Sequence, residues 1–148
     1  MPDNIHNFKN ADYIQLPAKI TASEYLAEWL TAIAKELNMP SKALRQCLIV
    51  SDEIFSNIAY YAYPQNQGDV NIKVAFDKDN HILIITFTDT GIAYNPLETP
   101  EPDITASVED RKIGGLGIFM VKKLMDNIEY TRKNDCNVLT LKKKIEQP

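Results

Sequence analysis

The sequence comprises 148 residues with a formal net charge of -4 and 45% hydrophobic residues, enough apolar material for one well-packed core and the expectation of a single domain over residues 1–148. With no basic block longer than Lys142, Lys143 and Lys144, neither nucleic acid nor an anionic membrane is an expected partner, and that run reads as the solvated end of a strand. The isolated Cys47 and Cys136 lie outside any Cys-x-x-Cys pair, which argues against a disulfide framework or zinc site; with no signal-like or bilayer-length apolar stretch, the expectation is a soluble, cytoplasmic protein.

Residues 1–10 carry Asp3, Asn4, His6, Asn7 and Lys9 and are expected to be flexible. Residues 12–18 read as a short strand with Tyr13 and Leu16 turned inward, and Pro17 places it at an edge or a strand end. Thr21 or Ser23 is expected to cap a helix over residues 22–37, in which Leu26, Trp29, Leu30, Ile33 and Leu37 recur at three- and four-residue spacing. Ser41 is expected to cap a second helix reaching residue 61, with Leu44, Leu48, Ile54 and Ile58 near one buried stripe.

Residues 70–77 and 81–89, rich in β-branched side chains and joined by Lys78, Asp79 and Asn80, predict a hairpin. Residues 90–113 turn Pro-rich and acidic and lose apolar periodicity, which predicts a long loop or a lid with one short helix. A helix follows over residues 118–128, carried by Ile118, Val121, Leu124, Met125 and Ile128, and two strands close the pattern over 128–132 and 137–143. Strands arriving in runs predict an α+β two-layer sandwich: a mixed, mainly antiparallel sheet with helices on one face, and no doubly wound nucleotide fold.

Three constellations carry chemistry. Glu53 and Asn57 stand four residues apart, on one helix face, and offer two hard oxygen donors suited to Mg²⁺; Asn57 lies among Ile54, Phe55, Ile58, Ala59 and Tyr60, where an unpaired amide is costly. The alternative is a solvated Glu and a surface Asn. Asp89-Thr90-Gly91 ends the apolar strand, where a carboxylate can accept from an exocyclic amine and Gly91 permits close approach or positive φ; an ordinary turn has the same residues. Gly114-Gly115-Leu116-Gly117 holds three of the five glycines just before a helix, where free N–H groups and the helix N-terminus favour phosphate, although the Walker ending is missing.

In this order the three segments resemble the N, G1 and G2 boxes of the ATPase superfamily of gyrases, heat-shock chaperones and histidine kinases (the Bergerat-type, GHKL fold), and most closely the bacterial anti-sigma-factor serine/threonine protein kinases. The resemblance covers nearly the whole chain. It implies that Glu53 positions or activates the attacking hydroxyl, Asn57 ligates Mg²⁺ and Asp89 binds the adenine amino group of ATP. Gly91 and Ala93 would support the adenine pocket, and Gly114, Gly115, Leu116 and Gly117 would wrap the phosphates in a movable lid. The family usually has Pro, Phe and often Asp where Ala93, Tyr94 and Asn95 stand, and frequently a basic residue or His where this chain has Tyr60 and Tyr61. Arg111 and Lys112 can supply the charge instead, or be solvated lid residues. The function implied is phosphorylation of an anti-sigma antagonist by a homodimeric kinase that also binds a sigma factor. A nucleotide-responsive binding module without phosphoryl transfer is the alternative, and a nucleotide-free α+β scaffold the third. Neither His6 nor His81 lies in a helical dimerisation segment, which disfavours a histidine kinase.

Overall fold

The computed structural model describes residues 11–98 and 115–146, with Gly115 and Leu116 placed by backbone only. Strand β1 (Ala11–Pro17) leads through a 3-10 turn (Ile20–Ala22) into helices α1 (Ser23–Glu36) and α2 (Ser41–Tyr61). The hairpin β2 (Asp69–Asp77) and β3 (Ile82–Asp89) follows, then a 3-10 turn (Pro96–Glu98), helix α3 (Gly115–Leu124) and the hairpin β4 (Asn127–Lys133) and β5 (Cys136–Lys144). Neither helix cap expected from the sequence forms. The 3-10 turn already has the chain turning, so Ala22 occupies the N-cap of α1 without a side-chain bond, and the N-cap of α2 is Pro40, whose carbonyl accepts from Leu44 N–H at 3.1 Å. Ser41 is thereby the first helical residue.

The five strands lie in the order β1-β2-β3-β5-β4, and every neighbouring pair is antiparallel. The mixed character expected from the sequence survives only between strands that do not touch. β3 and β4 run parallel, joined through α3, but β5 is wedged between them.

Register stacks the inward residues in rows across the strands. Ile14, Ile72, Phe87, Leu139 and Tyr130 make one row, and Val74, Ile85, Leu141 and Ile128 the next. The fully buried Ile72, Val74, Ile85 and Leu141 each contribute about 1.5–3 kcal/mol by leaving water. The outward row of Tyr13, Lys73, Thr86, Thr140 and Glu129 is polar, which leaves two layers. Tyr13 belongs to that outward row, 66% exposed under the Lys73 ammonium, contrary to the inward placement expected from the sequence. An odd separation from the buried Leu16 cannot share its face; Ile14 does.

On α2 the fully buried side is Cys47, Val50, Ser51, Ile54 and Phe55, while Leu44, Leu48 and Ile58 lie on its half-buried flank. α3 begins three residues before the predicted start, so Leu116 and Gly117 are helical rather than part of a preceding turn. Its C-terminus is capped from β5: the Lys143 ammonium donates to the Leu124 carbonyl at 2.9 Å, favourable to the helix dipole. Lys142 and Lys143 are half-buried and only Lys144 is exposed, so the basic run is less solvated than its composition implies.

Candidate functional site

One inward row differs from the others. Leu16 and Val70 are followed in register by Asp89, Asn137 and Arg132, three polar side chains on β3, β5 and β4 at the end of the sheet that meets the C-terminal half of α2. The two-residue turn Asn134-Asp135, with φ of 52° and 61°, joins β4 to β5 as a primed hairpin turn. It pairs Lys133 with Cys136 and so Arg132 with Asn137; a slip of one residue would face the whole row outward.

Asp89 and Asn137 are 5% and 7% exposed. Asp89 Oδ1 accepts from Gly91 N–H and from Asn137 Nδ2, both at 2.9 Å. No hydrogen bond reaches its Oδ2 among the described residues, and that oxygen is not sealed from solvent. Asn137 Nδ2 also donates to the Ile92 carbonyl at 2.7 Å, while its Oδ1 accepts from the Tyr130 hydroxyl and from Tyr94 N–H at 3.3 Å. Arg132 Nη1 donates to the Gly91 carbonyl at 2.8 Å, and Ile92 N–H donates to the Ala62 carbonyl at 2.9 Å. The chain segment after β3 is thus tied to both β-strands of the last hairpin and to the end of α2.

Beside this row opens a narrow, partly enclosed pocket. Ile54, Ile58, Phe87 and Leu139 give it an apolar floor, and Tyr61, Ile92, Tyr94 and Tyr130 aromatic or branched walls. Its polar groups are Asn57, Asp89 and Asn137. An apolar slot with a few convergent polar groups, one with an unused acceptor, suits a flat heterocycle that presents an amine.

Glu53 and Asn57 lie one turn apart on α2, as their spacing requires, and the two side chains hydrogen-bond. Burial pushes the Glu53 carboxyl above the usual carboxylate range, the Asp52 charge pushes the same way, and the Asn57 bond opposes both. The carboxyl group rests on the bare Cα of Gly117: a β-carbon there would collide with its Cδ and both oxygens. Gly117 is therefore the seat of Glu53 on α3, a role the phosphate reading of the glycines did not foresee.

The structure corrects Gly91 in part. Its φ lies outside the left-handed region, and the close approach that its missing side chain permits is that of Ala62. Ala93 is exposed on the adjoining segment and does not line the pocket. Tyr61 lines the pocket but Tyr60 does not. Arg111, Lys112 and Gly114 lie outside the described residues, as do residues 1–10 and most of the predicted lid. Sequence reasoning missed Asn137, Tyr130 and Arg132. The available signal was alternation: Asn137 stands in phase with Leu139 and Leu141, so the strand must bury a polar group that needs partners.

The family model of the histidine kinase-like ATPase domain matches residues 16–143. The chain belongs to that family. Among curated relatives of this histidine kinase-like ATPase domain, the serine/threonine-protein kinase BtrW of Bordetella bronchiseptica is 24% identical over 88% of this chain and 91% of its own. The serine-protein kinase RsbW of Bacillus mycoides is 24% identical over 87% of this chain and 82% of its own. Among solved structures, the crystal structure of the RsbU and RsbW domains of a Mycobacterium tuberculosis protein superposes with a TM-score of 0.68 at 15% identity, over 95% of this chain. This chain spans 34% of that one, and the likeness shows the fold alone. A histidine kinase domain from Erythrobacter litoralis superposes at a TM-score of 0.54, over 97% of this chain and 68% of its own. The α+β fold and family expected from the sequence are thereby established. No helix among the described residues is long and apolar enough to cross a membrane.

Proposed function

We propose that this domain is an ATP-dependent serine/threonine protein kinase that serves as an anti-sigma factor in a partner-switching system and phosphorylates an anti-sigma antagonist. The observation that carries the reading is that Asp89, whose Oδ2 has no partner among the described residues, and Asn57, hydrogen-bonded to the Glu53 that rests on Gly117, line one apolar slot. Its relatives, named as serine kinases at 24% identity, supply the substrate class.

In this reading Asp89 accepts the adenine amine through Oδ2, and Ile54, Phe87 and Leu139 pack the ring. Asn57 offers its carbonyl oxygen to Mg²⁺. Among the described residues no three His, Cys, Asp or Glu side chains gather around a metal, so the ion is one that phosphates and water would largely coordinate. Bound Mg-ATP supplies the phosphoryl group and neutralises its charge. Gly114, Gly115, Leu116 and Gly117, with Arg111, would contribute backbone donors and positive charge to the phosphates, as the family resemblance implies. Glu53, held beside Asn57, orients the attacking hydroxyl and takes its proton, and a raised carboxylate pKa makes it the stronger base. Homodimerisation and residence in the cytoplasm belong to the same proposal.

Calorimetry of Mg-ATP binding to the chain and to Asn57→Ala and Asp89→Asn variants tests the pocket. Micromolar binding abolished in both is expected; no heat and no thermal stabilisation would overturn it. Phosphate transfer to the antagonist by Glu53→Gln then separates kinase from binding module: binding kept and transfer lost supports the kinase. Transfer unaffected by the substitution removes Glu53 from the chemistry, and binding without transfer in the native chain leaves the binding module, to which Tyr60 and Tyr61 in place of a cation would conform.

A further inference from the structure

Asn137 lines the slot, yet it has nothing left to give a ligand. Both protons of its Nδ2 are taken, one by Asp89 Oδ1 at 2.9 Å and one by the Ile92 carbonyl at 2.7 Å. Both lone pairs of its Oδ1 are taken by the Tyr130 hydroxyl and Tyr94 N–H. The chemistry of the partners also fixes which way the amide faces. A carbonyl and a carboxylate only accept and a backbone N–H only donates, so the flipped amide would break three bonds at once.

The consequence falls on Asp89. Asn137 from β5 and Gly91 N–H from the following turn both hold Oδ1, which fixes the plane of the carboxylate and leaves Oδ2 without a partner among the described residues, on a side chain that lines the slot. A free carboxylate would rotate and offer either oxygen to water. We infer that Asn137 is a positioning residue for base specificity, an assignment that rests on the nucleotide pocket proposed above. It makes the slot choose a purine with an amine at the six position over one with a carbonyl there, without touching the base. The choice is electrostatic and geometric: an amine donates to the presented Oδ2, whereas a six-oxo base would face acceptor against acceptor. By the same bonds Asn137 holds the Ile92 to Tyr94 backbone against β5, keeping that wall of the slot in place.

The test compares Mg-ATP with Mg-ITP, which differ at the six position in this way, on the native chain and on Asn137→Ala and Asn137→Val, with a melting curve for each protein. Val retains the β-branched shape a buried strand position favours, so the pair guards against loss of folding in Ala alone. The native chain is expected to prefer ATP by about ten- to hundredfold, the ratio that an unpaired buried acceptor produces. Both variants are expected to weaken ATP by about tenfold and ITP by less than about threefold, so that the preference falls by about three- to tenfold. Variants that melt lower but keep the native ATP-to-ITP ratio overturn the assignment, because a merely structural residue weakens both nucleotides alike. A native chain that binds ATP and ITP equally overturns it too. A native chain that binds neither nucleotide removes the pocket itself, an outcome distinct from the other two.

Discussion

Gly117 shows how much a missing methyl group decides. In any other setting Gly→Ala inside a helix stabilises by about 1 kcal/mol, but here the new carbon would occupy the position of the Glu53 carboxyl group. Gly117→Ala is expected to lower phosphate transfer by about a hundredfold, the scale of a displacement near 1 Å at a reacting group, with nucleotide affinity changed far less. A melting temperature that holds while transfer falls identifies a displaced carboxylate rather than a lost fold. Glu53 also gives a pH prediction. Its folded pKa is raised by burial and by Asp52, so ionisation is harder in the fold than in the unfolded chain. The contribution to stability is complete below the unfolded pKa and is lost as pH rises through the folded one. Glu53→Gln is therefore expected to melt higher than the native chain at neutral pH, with the gap closing once Glu53 is protonated in the folded and the unfolded chain alike, below about pH 4. Thermal melts across pH 3.5–8 check it, and a gap that widens on acidification reverses the sign. The placement of Glu53 and Asn57 one helix turn apart and of Asp89 at a strand end was legible in sequence, because local geometry already dictates it. Asn137 was not, since its meaning comes from a partner 48 residues away.

At the level of elements, the β4–β5 hairpin turn is the piece on which the polar row depends. Asn134 and Asp135 both hold left-handed φ, where Asn and Asp are tolerated and β-branched residues are not. Asp135→Val is expected to cost about 1–2 kcal/mol and, by loosening the pairing of Arg132 with Asn137, to weaken ATP as well. Denaturant titration and calorimetry on one variant check both, and a stability loss with native affinity would uncouple turn from site. Helices α1 and α2 were legible to within a residue because a long 3.6-residue period survives sequence noise. Their caps were not, since a 3-10 turn and Pro40 took those places. Tyr13 was misplaced because a seven-residue edge strand offers too few alternations to fix its phase, and the pairing with β2 decides it.

For the molecule as a whole, Cys47 reports on opening of the core. It is buried among the inward residues of α2, and burial pushes its thiol up to about 11, with the Lys143 charge a smaller opposing influence. The half-buried Cys136 is expected to alkylate first, and Cys47 only when the domain unfolds. Mg-ATP at a hundred times its Kd is then expected to slow Cys47 labelling by about a hundredfold; mass-resolved alkylation with and without nucleotide reads it, and equal rates would mean that the core opens without releasing ATP.

The place of β5 has a consequence for how the protein is made. It is the last of the five strands in sequence, yet it sits between β3 and β4. A ribosome releases the N-terminal elements first, so the nascent chain holds β3 with an open flank, its Asp89 without the amide that steadies it. Only when the closing hairpin has emerged and paired along that flank are Asn137, Leu139 and Tyr130 in place to complete the slot. ATP binding would then serve as an inherent quality check, withheld from every unfinished copy.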